Sequence, residues 1–213
     1  MRRVTLLVAA LSIAACKKPE PAPETAAPAG SGEAPAAAPA DPRTSGLFAP
    51  LPEVTDTDAQ KVALGQRLYH DTGLSGDGTI ACASCHVIPD GGDDGLVASV
   101  GIHGQVGPIN SPTVLNARHN FVQFWDGRAA DLKEQAAGPV TNPKEMGAEW
   151  SAVLAYLSGD PTYVAAFAAS YPAGISQDAV TDAIAEFEKT LVTPSRYDAW
   201  LRGDDAALTA EEQ

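Results

Sequence analysis

The chain has 213 residues, with 14 Lys and Arg against 27 Asp and Glu, a formal charge of -13 and three cysteines. That balance excludes a nucleic-acid partner, because phosphate binding needs a basic stripe that is missing here. An acidic surface suits a secreted protein and a basic redox partner, although most of these charges serve solubility.

Residues 1–16, "MRRVTLLVAALSIAAC", begin with Arg2 and Arg3, run through an apolar stretch and close on small residues before Cys16. This is the anatomy of a bacterial export signal, too short to span a bilayer permanently. The "IAAC" ending is similar to a lipoprotein signal, in which Cys16 becomes the lipidated first residue of the mature chain. The expectation is a periplasmic protein, tied to the membrane through a lipid anchor alone, with Cys82 and Cys85 left for side-chain chemistry. Residues 17–45 are Pro, Ala, Gly and Glu with no aromatic residue and no apolar period. Such a segment cannot bury enough surface to offset its ordering, and it reads as a flexible, disordered linker. Residues 46–205 are long enough for one domain with a real core.

Within that domain the patterns are helical, with long loops and no strand signal. Residues 58–71 repeat apolar side chains at Val62, Leu64 and Leu68, with Thr57 or Asp58 as cap. Trp150, Val153, Leu154 and Leu157 fall at i, i+3, i+4 and i+7, one buried helical face. Residues 176–192 have Ser176 as cap, Val180, Ile184, Phe187 and Leu191 as stripe, and Pro194 just beyond. Between His86 and Phe121 lies a loop rich in Gly, Asn, Asp and Pro, of a length that is usually functional or wrapped around something. Its "GGDDG" (91–95) lacks the spacing and closing Glu of a calcium loop and reads as a polar turn.

"ACASCHVIPDGG" (81–92) carries the chemistry. A dithiol redox motif wants a strand before it and a helix after it, which the Gly-rich surroundings do not supply. A structural zinc needs four ligands, and the other histidines stand singly. Attachment of a c-type haem needs these residue types at this spacing: Cys82 and Cys85 on one helical turn to hold the porphyrin, and His86 as proximal iron ligand. The sixth iron position separates an electron carrier from an enzyme. Met146 is the one thioether left after Met1 is removed, and the free imidazoles are His70, His103 and His119. His70 and His119 read as surface or packing residues. His103, flanked by glycines in "SVGIHGQVGPINSPT", reads as a reversible distal ligand, against the alternative of a solvent-facing loop residue.

"LGQRLYHDTGLSGDGTIACASCHVIPDGGDDG", "NSPTVLNA", "FWDGRAADLKEQAAGPVTNPKEMG" and "PSRYDAWLRGD", in that order, resemble the N-terminal half of bacterial dihaem cytochrome c peroxidases. The resemblance runs from about Leu47 to the end. It implies a mostly α, cytochrome c-like haem domain in which hydrogen peroxide is reduced to water. Electrons would come from a small cytochrome c or cupredoxin, through a second c-haem in the other half. Residue by residue, it implies His86 as proximal ligand and His103 as the distal histidine that must leave before peroxide binds. The loop carrying His103 is one residue longer than the usual pattern. It implies Glu145 as acid and base beside the open iron face, Gln135 as its neighbour, and Trp125 as the aromatic between the haems. Asn110 would help hold calcium between the halves, where a hard cation wants oxygen ligands.

Thr209 and Glu212 form a capping box with almost nothing after it. Residues 206–213 therefore read as the start of a second haem domain, cut short. The other readings kept open are a single-haem electron-transfer protein and a dihaem oxidase acting on another substrate. Without its other half, the apolar face around Trp125 is expected to favour self-association, with a homodimer as one form.

Overall fold

The computed structural model describes Asp41, Arg43 and residues 45–213. The export signal, Cys16 and most of the linker lie outside these residues. Seven α-helices and four single 3-10 turns account for the regular structure among the described residues. Three isolated bridges, Val87 with Asp93, Val100 with Val106 and Gln123 with Ala129, are the only β-type pairings there.

Helix α1 (Ala59–Tyr69) starts where Asp58 accepts the backbone N–H groups of Gln60 and Lys61, the expected cap. Helix α2 (Cys82–Cys85) is a single turn. Helix α3 (Leu132–Thr141) is capped by Asp131 and contains Pro139. Helices α4 (Trp150–Gly159) and α5 (Pro161–Ser170) share Asp160, which ends the first and caps the second. Helix α6 (Gln177–Glu188) begins at Ser176, whose hydroxyl accepts the Ala179 N–H, and α7 (Arg196–Leu201) begins at a Ser195–Asp198 capping box.

Helix α6 is the centre of the domain. The sequence implied one buried stripe, but burial extends almost around it, from Ala179 to Glu188 apart from Asp182. The reason is that α1 packs on one side and α3 on another. Leu64, Leu68, Val140, Val153, Leu157, Tyr163, Phe167, Val180 and Ile184 join in one core. The stripe position Leu191 lies beyond the end of α6 and is only partly buried.

The chain leading to α1 is clasped to α7. The Arg43 guanidinium reaches Asp205 at 2.5 Å and lies over the Trp200 ring at 4.8 Å. Leu51 is held twice, its N–H by Asp198 at 2.7 Å and its carbonyl by the Arg202 guanidinium.

Gly65 sets the closeness of α1 to α6. A methyl group there would collide with the Ala183 carbonyl oxygen, which is backbone and cannot rotate aside. Helix propensity favours Ala over Gly by about 1 kcal/mol, whereas overpacking of this kind costs about 1–3 kcal/mol. Gly65→Ala is therefore expected to lower stability by about 1 kcal/mol net in denaturant unfolding. A raised midpoint would mean that α1 moves off α6 freely.

Candidate functional site

The turn α2 opens onto a cavity of about 490 Å³. Cys82, Cys85 and His86 line it, and so do Gln135, Glu145, Trp125 and Asn110. The structure thus gathers seven of the predicted site residues around one space, although the chain between Cys82 and Glu145 is mostly irregular.

Three hydrogen bonds place His86: its N–H donates to the Cys82 carbonyl at 3.0 Å, and two more tie it to residues outside α2. Its carbonyl accepts the hydroxyl of the fully buried Tyr69 at 2.8 Å. Its ring Nδ1 lies 3.3 Å from the Gly92 carbonyl. With the proton on Nδ1, that bond leaves Nε2 as the nitrogen free to bind a metal. Burial pushes the His86 ring towards its neutral form, the form a metal requires. Gly92 has φ +80°, and a Cβ there would come within 2.7 Å of the Thr113 hydroxyl. Only glycine allows the chain to double back so tightly behind the imidazole.

Both thiols are free and are held protonated. Burial, aided by the Glu188 charge, pushes Cys82 up to about 12. Burial and then Asp94 raise Cys85. A reactive dithiol needs the opposite, a depressed thiol pKa in electropositive surroundings. Among the described residues no group of three His, Cys, Asp or Glu side chains comes together as a metal cage. The cavity wall is largely apolar, with Ile80, Val114, Leu132, Phe124, Pro139 and Ile184.

Glu145 is half-buried, and its Oε1 accepts the Asn142 side-chain amide at 2.7 Å. Burial raises its carboxyl, while Arg128 and the Asn142 amide pull it back down. Gln135 projects from α3 onto the same cavity. Trp125 is 63% exposed, and its Nε1–H donates to the Asn110 carbonyl at 3.1 Å. Met146 also lines the cavity but is buried in the hydrophobic core.

His103 stands apart from this group. It occupies the tip of a short hairpin closed by the Val100–Val106 bridge, with φ +54° and a side chain 68% exposed. The stem residues Ser99, Gly101 and Gly107 line the cavity, but His103 does not. Its Nδ1 lies 3.3 Å from Asp77 Oδ2. His70 caps α1 with Nδ1 on the Gln66 carbonyl at 2.9 Å, and His119 sits exposed on a 3-10 turn.

Two residues at the cavity escaped the sequence reading. Glu188, at the end of α6, is 5% exposed, and its Oε2 has no hydrogen-bond partner among the described residues. Burial alone pushes its carboxyl up to about 8. Phe124 has φ +66°, a genuine outlier for an aromatic residue, and the Arg128 guanidinium lies 3.4 Å above its ring. No periodicity marks either position. The dipeptide Phe124-Trp125 offers only an aromatic cluster in an otherwise polar loop.

The profile of the di-haem cytochrome c peroxidase family matches residues 59–206. Cytochrome c peroxidase Ccp of Escherichia coli is 55% identical over 166 residues, covering 77% of this chain and 36% of that protein. Cytochrome c551 peroxidase of Nitrosomonas europaea is 47% identical, covering 76% and 49%. The crystal structure of a MauG-like protein associated with microbial copper homeostasis superposes with a TM-score of 0.68 at 31% identity, covering 77% of this chain and 50% of that one. The chain thus spans about a third to a half of the relatives it matches. A family profile over most of the helical domain, together with relatives that share half its residues, means that the chain belongs to the di-haem cytochrome c peroxidase family.

Proposed function

We propose that residues 46–205 are the peroxidatic haem domain of a periplasmic cytochrome c peroxidase. The observation that carries this reading is that Cys82, Cys85 and His86 share one cavity with Glu145 and Gln135. A c-type haem fits the residues present. Two protonated thiols on one turn suit thioether formation, a neutral imidazole suits iron, and an apolar wall suits a porphyrin. In this reading His86 would hold the haem iron permanently, and His103 would bind it reversibly. The haem, when bound, supplies the iron at which peroxide binds and the route for electrons.

The chain's own contribution is positioning and proton transfer. Reduction of H2O2 to two waters consumes two electrons and two protons, and the O–O bond breaks easily only when the departing oxygen receives a proton. Glu145 is the group for that task, a carboxyl raised by burial and steadied by the Asn142 amide. Gln135, on the adjacent helix α3, orients the second oxygen by hydrogen bonding. Trp125, exposed at the cavity mouth and fixed through its indole N–H, is the electron entry from a second haem in the other half of the protein. Asn110, which holds that indole by its carbonyl, is proposed as a calcium ligand completed by the other half. The donor is a small cytochrome c or cupredoxin. Among the described residues no helix is long and apolar enough to cross a membrane, and attachment through lipidated Cys16 is proposed in its place.

A second reading is favoured by the MauG-like structural neighbour: a di-haem oxidase in which peroxide drives oxidation of a substrate other than a small redox protein. Turnover with peroxide and reduced small cytochrome separates the two.

Three outcomes are expected. Haem stays on the polypeptide through acid–acetone extraction and leaves it when both Cys82→Ser and Cys85→Ser are present; haem stripped from the parent protein would end the haem c assignment. Glu145→Gln, in a protein carrying both haem domains, is expected to keep haem content and lower peroxide turnover by about 10²–10⁴. Undiminished turnover would remove Glu145 from the mechanism. Residues 17–213 alone should bind haem yet oxidise small cytochrome poorly, and a rate equal to that of the two-domain protein would make this domain a complete enzyme.

A further inference from the structure

The outward position of His103 is specified by its surroundings. Asp77 Oδ2 lies 3.3 Å from His103 Nδ1 and also accepts the His103 backbone N–H at 3.3 Å. The other carboxylate oxygen, Oδ1, accepts both the N–H of Thr79 at 3.0 Å and its hydroxyl at 2.6 Å. The Asp77 side chain is therefore oriented before His103 arrives, and it is only 17% exposed against 68% for the histidine. The two partners also hang from consecutive carbonyls of one segment. Gly76 donates its N–H to Met146 at 2.7 Å, and Ile102 donates to Glu145 at 2.8 Å. The Ile102 side chain fills the space beside Gly147 where a Cβ would stand. The turn carrying the carboxylate, the hairpin stem and the backbone of Glu145 are thus tied to one another, and the stem borders the cavity.

We propose that Asp77 is a positioning residue that docks His103 away from the cavity and so keeps the face beside Glu145 open. This rests on the reading of His103 as a reversible ligand. It adds the group that competes with the iron for that imidazole. A carboxylate on Nδ1 is also what orients a histidine already bound to a metal through Nε2, but here the paired ring points outside the cavity. The two roles predict opposite signs: a docking residue, once removed, lets His103 reach the iron more often, whereas an orienting residue, once removed, weakens ligation.

The test uses the haem-loaded full chain. Asp77→Ala, Asp77→Asn and Thr79→Val are compared with the parent by the ratio of low-spin to high-spin ferric signal at low temperature and by the rate of cyanide binding. Haem content serves as the check on folding, and the two milder variants cover the case in which Asp77→Ala folds poorly. Asp77→Ala and Asp77→Asn are expected to raise the low-spin fraction and to slow cyanide about two- to tenfold, the range of a hydrogen bond lost. Thr79→Val should act in the same direction and more weakly. Adding His103→Ala to Asp77→Ala should abolish the new low-spin signal. An unchanged or lower low-spin fraction in both Asp77 variants overturns the docking role. If His103→Ala alone still alters the spectrum in that case, His103 is a ligand without this latch. If His103→Ala has no effect in either background, the ligand reading fails as well.

Discussion

The cavity depends on one buried hydroxyl. Tyr69, in the last turn of α1, is inaccessible to solvent, packs edge-on against Phe187 of α6 at 5.1 Å, and donates to the carbonyl of His86. The two principal core helices therefore fix, through a single bond, the residue where the turn α2 ends. A buried carbonyl left without a partner costs about 1–3 kcal/mol, so the rest of the loop must fold in a way that preserves this contact. The close approach at Gly65 matters for the same reason. It keeps α1 near enough to α6 for Tyr69 and Phe187 to meet.

Around that anchor, in a strongly acidic chain, burial works against charge on the titratable groups of the cavity wall. Burial holds both cysteines as thiols, favours the neutral form of His86, and raises the carboxyls of Glu145 and Glu188. The carboxyls differ in company. Glu145 has the Asn142 amide and the Arg128 charge to moderate it, whereas Glu188 faces the interior with one oxygen unsatisfied. Two carboxyls in one wall thus have different proton affinities, set by their neighbours. Asp126, Arg128 and Lys144 also reach the wall, while other carboxylates are neutralised in pairs away from it, as Asp160 is by Arg67 and Asp182 by Lys61.

What could be read from the sequence follows the range of the forces involved. The caps at Asp58 and Ser176 and the face of Val153 and Leu157 are local patterns, and the structure has them. Helix α3 gave no such signal, because Gly138 and Pro139 interrupt its period, and only its place under α6 sustains it. Helix α5 escaped as well: its alanines blur the stripe made by Tyr163 and Phe167. At the site, the spacing of Cys82, Cys85 and His86 is local chemistry. The juxtaposition with Glu145 and Gln135 was available only through family resemblance, since 40 or more residues of loop and helix separate them. The Asp77–His103 pair is a tertiary contact between two turns that neither turn encodes alone. Glu188 looks in sequence like Glu186, but Glu186 accepts the Asp58 backbone N–H and the Lys189 ammonium while Glu188 turns inward.

The clasp between the entering chain and α7 determines how the domain bears load. Arg43 on Trp200 and Asp205, Phe48 edge-on to Tyr197, and Leu51 between Asp198 and Arg202 form a joint ahead of the first core helix. Tension arriving from the N-terminal side meets this joint before it reaches Asp58 and α1. A pull on the chain ahead of Asp58 is therefore borne first by contacts to α7 and only afterwards by Tyr69 and the His86 carbonyl that it holds.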